Sequence, residues 1–214
     1  MSYAIPSLTR VPAAEKGLTI GDFLVPVRVG ERTSPRLRDV ILVITGAVLI
    51  FLASRVVIPL PGNPVPITLQ NFGVLVVGGA LGLRRGGIAA ALYVALGVIG
   101  LPFFAEGKGG IGVIWGATGG YLLGFIAAGA LVGRLAELGW DRRLTGSLGA
   151  TVLASAVIYL LGVPWLALVT GMSPSDAIAK GLLPFLWLDL AKAVAAAVVF
   201  PSAWWVVGRR PSDR

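Results

Sequence analysis

Leu186-Trp187-Leu188-Asp189-Leu190-Ala191-Lys192-Ala193-Val194 places a carboxylate and an ammonium three residues apart inside an unbroken apolar stretch. Three residues on a helix is nearly one turn, so both side chains share one face. An unpaired charge at the centre of a bilayer costs about 2.5–3.5 kcal/mol even on the lenient insertion scale. Both side chains are therefore expected to point into a helical bundle, where they pair with each other or with something polar.

The flanking sequence is consistent with a membrane location. The 214-residue chain is 56% hydrophobic and 13% charged, about half the charged fraction of a soluble domain. Apolar runs long enough to be considered crossings fall at Val40–Ile58, Leu69–Leu83, Gly87–Leu101, Thr118–Leu138, Leu144–Leu168 and Ala177–Val207. The second and third are short and meet at Arg84-Arg85, which reads as a tight helical hairpin. The expected fold is all-α, with six transmembrane helices over residues 38–208. Residues 1–37, which carry Arg10, Lys16, Arg28, Arg32 and Arg36, read as a polar, mostly disordered cytoplasmic extension with short ordered pieces around Leu18–Val29. Residues 209–214 form a cytoplasmic tail.

The net charge of +8 would suggest nucleic acid on a soluble protein. Here the arginines lie between apolar runs, so they read as topology determinants and no nucleic-acid partner is expected. Fourteen of the 18 basic residues fall on the side that holds residues 1–40, Arg84-Arg85, 134–143 and the tail. By the positive-inside rule, both termini are cytoplasmic. Arg55, Lys108 and Lys180 fall on the opposite side.

Without cysteine or histidine, disulfides, thiolate metal sites and histidine-based catalysis are excluded. No catalytic group, metal site or cofactor is expected. There is also no phosphate-cradling G-x-x-x-x-G-K-[ST] loop. Gly112, Gly116, Gly120 and Gly124 recur every four residues, followed by Gly129 and Gly133. This spacing lets helices approach closely in lipid, although the first of these glycines precede the fourth span and suit a turn.

Two outward segments complete the picture. Pro59-Leu60-Pro61-Gly62-Asn63-Pro64-Val65-Pro66 cannot be helical and reads as an extended, lid-like connection. Pro102-Phe103-Phe104-Ala105-Glu106-Gly107-Lys108-Gly109-Gly110 is glycine-rich, with Lys108 its only cation. Irregular backbone at membrane depth is tolerated where it lines a cavity, so a pocket open to the outside is expected above the charged pair. The pair itself suits a locking ion pair or a compact ligand with N–H donors and a carbonyl: a cyclic urea, an amide or a pyrimidine edge.

Four stretches carry a family resemblance: Val65-Pro66-Ile67-Thr68-Leu69-Gln70-Asn71-Phe72-Gly73-Val74, Ile99-Gly100-Leu101-Pro102-Phe103-Phe104, Gly116-Ala117-Thr118-Gly119-Gly120-Tyr121-Leu122-Leu123-Gly124-Phe125, and Asp189-Leu190-Ala191-Lys192. In their order and spacing, over about Leu42 to Val207, they resemble BioY, the biotin-binding substrate-specificity (S) component of energy-coupling-factor (ECF) transporters. The resemblance implies high-affinity biotin capture at the outer face of the cell membrane, by binding and reorientation rather than chemistry. It also implies coupling to a transmembrane scaffold subunit and two cytoplasmic ATPases. Asp189 and Lys192 match the pair expected to hold the ureido ring. Lys108 and Tyr121 are candidates for the valerate carboxylate by position, and Gln70 is a candidate lining donor or a turn residue. Trp115, Phe103 and Trp187 are candidates for apolar walls. Gly46, Ile50 and Ser54 supply only imperfectly the small-residue register with which the family's first helix docks its scaffold. The competing readings are an S component for another vitamin and a proton-coupled carrier that uses Asp189 as a relay. A carrier should show a protonatable chain or inverted repeats, and neither is visible.

Overall fold

The computed structural model describes residues 19–24 and 34–208. The expected disorder of residues 1–18 and 25–33, and the 209–214 tail, lie outside the described residues.

Helices form where the apolar runs are longest. After a single turn α1 (Gly21–Leu24) come α2 (Pro35–Ser54), a small antiparallel ribbon of β1 (Val57–Ile58) and β2 (Ile67–Thr68), and then α3 (Gln70–Val98) and α4 (Gly119–Glu137). The chain continues as α5 (Leu144–Thr170), α6 (Pro174–Gly181) and α7 (Leu183–Gly208). Among the described residues, five helices (all but α1 and α6) are long and apolar enough to cross a membrane.

One of the five makes two crossings. Gly82, inside α3, has φ 86° and ψ 177°, a backbone conformation that glycine adopts without the steric cost a Cβ would impose. Beyond it the chain doubles back. A Cβ on Gly86 would lie 2.7 Å from the Cα of Gly78, whereas eight residues of straight helix would separate the two by about 12 Å. This is the expected hairpin, with six crossings in all. Its turn lies at Gly82 rather than at Arg84-Arg85, and the Glu137 carboxylate accepts the Leu83 N–H at 2.9 Å to cap the second arm.

The glycine stripe is divided by function. Gly112 and Gly116 precede α4, where they belong to turns and to the cavity wall described below. Further along α4, Gly129 packs on the hairpin: a Cβ on Gly78 would sit 2.5 Å from the Gly129 carbonyl oxygen. Main chain meets main chain there, and the resulting dispersion contacts take the place of hydrophobic driving force between helices in lipid.

Three expectations are corrected. The first span does not reach Ile58: it stops at Ser54, because residues 57–58 leave the helix to pair with 67–68, Val57 opposite Thr68 and Ile58 opposite Ile67. The last stretch, Ala177–Val207, is two helices that break at Leu182 (φ −125°, ψ −58°). Its first part is a short outer helix, α6, capped by the Ser173 hydroxyl accepting the Asp176 N–H at 3.2 Å. The register Gly46, Ile50, Ser54 faces the bundle and not a partner. Ile50 and Ser54 are fully buried, and a Cβ on Gly46 would strike Val77 and Leu81.

The charged ends also take shape. At the end of the bundle that bears Arg84 and Arg85, Asp22 of α1 accepts from Arg38 and Arg85 at 2.7 Å each, and Asp39 accepts from Arg85 at 2.8 Å. Burial alone would raise the Asp22 carboxyl, but the hydrogen bonds from Arg85 and Thr19 outweigh it and hold the group below the ordinary carboxylate range. Ile20 packs on Phe200, and the Phe23 ring meets Trp204 edge-on at 5.5 Å. α1 therefore ties together α2, the hairpin turn and α7. Nearby, the Trp204 indole donates to Asp141 at 2.6 Å; burial pushes that carboxyl up.

Candidate binding site

At the opposite end, the outward segments and the outer halves of α4, α5 and α7 enclose a cavity of about 320 Å³. That is within the usual size of small-molecule pockets, about 300–1,000 Å³. Its walls draw on residues 64–66, 68, 70–71, 104–106, 108, 112–113 and 116–118, with Tyr121, Leu122 and Phe125 from α4, Ile158 and Tyr159 from α5, and Phe185, Asp189 and Lys192 from α7. All five residues singled out from the sequence, Asp189, Lys192, Gln70, Lys108 and Tyr121, line this one cavity.

The charged pair is inward-facing and internally satisfied. Lys192 Nζ donates to Asp189 Oδ1 at 2.8 Å, to the Thr68 carbonyl at 2.7 Å and to Asn71 Oδ1 at 3.3 Å. A lysine has three N–H donors, so each has an acceptor. The other carboxylate oxygen, Asp189 Oδ2, accepts from the Tyr159 hydroxyl. These bonds tie the start of α3 to α7 across the cavity. Asp189 uses two of about four lone-pair sites, which leaves acceptor capacity toward the open space.

The other three residues have more specific surroundings. Gln70 is buried: its amide donates to the Tyr93 hydroxyl, and its Oε1 accepts from Thr68 Oγ1 at 3.1 Å. Tyr93 in turn donates to the Phe103 carbonyl at 3.0 Å. Tyr121 presents its ring to the cavity, while its hydroxyl donates to the Gly181 carbonyl at 2.8 Å, at the break between α6 and α7. Lys108 is 62% exposed at the mouth and pairs with Glu106 at 2.5 Å. The lid-like segment is anchored at its tip by Asn63 Nδ2, which donates to the Lys180 carbonyl at 2.8 Å.

The expected aromatic walls are elsewhere. Trp187 is 77% exposed on the outside of α7, Trp115 is 65% exposed and stacks on Trp165, and Phe103 stacks behind the wall on Phe51. None of the three lines the cavity; the apolar surface comes from Phe104, Val113, Leu122, Phe125, Ile158 and Phe185. An aromatic's type does not reveal which side of its helix it occupies, and at a membrane protein's surface the apolar side faces lipid. Sequence reasoning also missed Tyr159 and Asn71. A hydroxyl in the otherwise apolar run Val157-Ile158-Tyr159-Leu160-Leu161 was the available signal for the first. Asn71, one residue beyond Gln70 in the quoted motif, was visible without its partner.

Comparison with known proteins adds a second line of evidence. The family model described as "BioY family" matches residues 27–209. The chain belongs to the BioY family. Among relatives, the "Biotin transporter BioY" of Thermotoga maritima is 43% identical over 145 residues, covering 66% of this chain and 82% of that protein. The one of Rhodobacter capsulatus is 38% identical over 165 residues, covering 72% and 85%. A crystal structure of the S-component for biotin from an ECF-type ABC transporter matches with a TM-score of 0.74 at 26% identity, over 81% of this chain and 94% of that one. With its apolar crossings, this membership makes the chain a multi-pass cell-membrane protein.

Proposed function

We propose that this chain captures biotin at the outer face of the membrane, as the S component of an ECF-type transporter, and works by binding and reorientation rather than catalysis. The observation that carries the reading is the buried Asp189–Lys192 pair in the wall of a cavity otherwise lined mainly by apolar side chains. The ureido ring of biotin offers two N–H donors and a carbonyl. Asp189 accepts one of the N–H groups with an unused lone pair. Lys192 donates to the carbonyl by giving up its longest bond, the 3.3 Å contact to Asn71. Charge-assisted bonds of this kind are about twice as strong as neutral ones.

Phe104, Leu122, Phe125 and Phe185 surround the thiophane ring and the aliphatic chain, and the valerate carboxylate reaches Lys108 at the mouth. Tyr121, with its hydroxyl committed to Gly181, contributes its ring. Gln70, itself part of the wall, holds Tyr93. The protein needs no cofactor of its own. A scaffold subunit and two cytoplasmic ATPases supply the energy, in keeping with the absence of a nucleotide loop in the sequence, and lipid is the remaining partner.

The test is binding of labelled biotin to the detergent-solubilised chain with lipoate as competitor. Lipoate has a sulfur ring and a carboxylate but no urea. Biotin should bind and lipoate should not displace it; equal competition by lipoate would refute the role of the pair.

A further inference from the structure

Arg55 is the one arginine near the outward end, against the charge distribution of the rest of the chain. No carboxylate among the described residues lies within ion-pairing distance of it. Its guanidinium serves backbone instead. Arg55 Nη2 donates to the Pro102 carbonyl at 2.8 Å and to the Phe104 carbonyl at 2.6 Å. The carbonyl between them, Phe103, accepts from Tyr93 at 3.0 Å and shares the single proton of the fully buried Ser54 hydroxyl, 2.8 Å away, with the Phe51 carbonyl at 2.6 Å. Three consecutive carbonyls thus meet donors fixed on α2 and α3. The guanidinium also lies over the Phe51 ring at 4.8 Å, and Phe51 stacks on Phe103 at 4.4 Å.

The segment held this way needs an external restraint. Gly100, Gly107 and Gly110 have positive φ, as does Glu106 at 59°, the only non-glycine among the described residues to do so. Such a chain has little conformational preference of its own, yet Phe104, Ala105, Glu106 and Lys108 all form cavity wall.

We propose that Arg55 is a positioning residue for ligand retention: it latches residues 102–108 onto the bundle as the outer wall of the cavity and thereby sets how slowly a captured ligand escapes. The latch acts on the biotin site proposed above and rests on that reading. The wall must open for a ligand to enter and again for it to leave, so weakening the latch raises koff, and kon rises with it because the ligand-free wall is open more often.

The experiment uses the full chain in detergent, with Arg55→Gln and the conservative Arg55→Lys. Amide hydrogen exchange of residues 103–110 is followed without ligand, and kon and koff are measured with labelled biotin. Losing two charge-assisted bonds should raise koff about 10-fold or more for Arg55→Gln, with kon rising rather than falling because the same wall gates entry. Arg55→Lys, which keeps a cationic donor without the planar fork, should fall in between, and exchange in the segment should rise in the same order. Unchanged exchange overturns the latch whatever the ligand. Faster exchange with unchanged koff overturns its role in retention. A parent chain that binds no biotin overturns the functional reading, and retention with it, while the exchange data still report separately on the contact.

Discussion

Replacing Asp189 with Asn keeps the shape of the side chain and one carbonyl acceptor while removing the charge. In the parent, the carboxylate faces Lys192 at 2.8 Å and accepts from Tyr159, so two effects must be separated. The first is on the ligand. A ureido N–H bond to a charged acceptor is worth about 1.5–3 kcal/mol, and neutralising the acceptor removes about half of that. The loss, about 0.8–1.5 kcal/mol, corresponds to roughly 4- to 10-fold in affinity. The second effect falls on the protein. Lys192 keeps Thr68 and Asn71 but loses its counter-ion in a buried setting, a penalty that free and loaded protein share and that cancels from the binding constant. It should appear as a lower melting temperature without ligand. Titration calorimetry with biotin, alongside thermal unfolding of the ligand-free protein, reads the two separately. Desthiobiotin, which keeps the ureido group, should lose as much affinity as biotin. Unchanged biotin affinity in a folded Asp189→Asn protein would refute the assignment of the pair to the ligand.

Lys108→Ala should weaken biotin only a few-fold, since an exposed ion pair contributes about 0.2–1 kcal/mol, and should leave biotin methyl ester unaffected; competition binding with both ligands checks this. Gly78→Val should lower the melting temperature in detergent, because its Cβ would meet the Gly129 carbonyl at 2.5 Å and overpacking costs about 1–3 kcal/mol. Gly112→Ala, with nothing within 4 Å of the added atom, should melt with the parent. At the end that bears Arg84 and Arg85, the folded-state pKa of Asp22 lies below its unfolded value. Its contribution is therefore complete above the unfolded carboxylate pKa, about 4, and is lost as the pH falls through the depressed folded value. Hydrogen exchange should find residues 19–24 protected at pH 7 and at pH 5 and released once the pH falls below the depressed folded value, whereas Asp22→Asn should release them at neutral pH.

The crossings were legible because the apolar runs are long and the polar exceptions few. The hairpin was legible because two short runs share a charged turn, although only backbone geometry shows that Gly82 makes it. The ends of α2 and α7 were less clear. Val56, Val57 and Ile58 are as apolar as a helix, and only their pairing with residues 67–68 takes them out of it; the break at Leu182 was signalled by Gly181 before it and Pro184 after it, but the length of the apolar run hid it. At the site, Asp189 and Lys192 were identifiable because charge inside a bilayer is costly. The apolar walls were not, since aromatics facing lipid and aromatics facing a cavity look alike in one dimension. The roles of Gln70 and Tyr121 depend on Tyr93 and Gly181, partners 23 and 60 residues away.

Lys192 has three protons and three takers before any cargo arrives. The resting ammonium therefore makes no demand on solvent for a partner. Admission becomes barter: a newcomer must replace at least one of these internal bonds with a better one. Molecules that bring grease alone, or a carbonyl without its flanking donors, have too little to exchange.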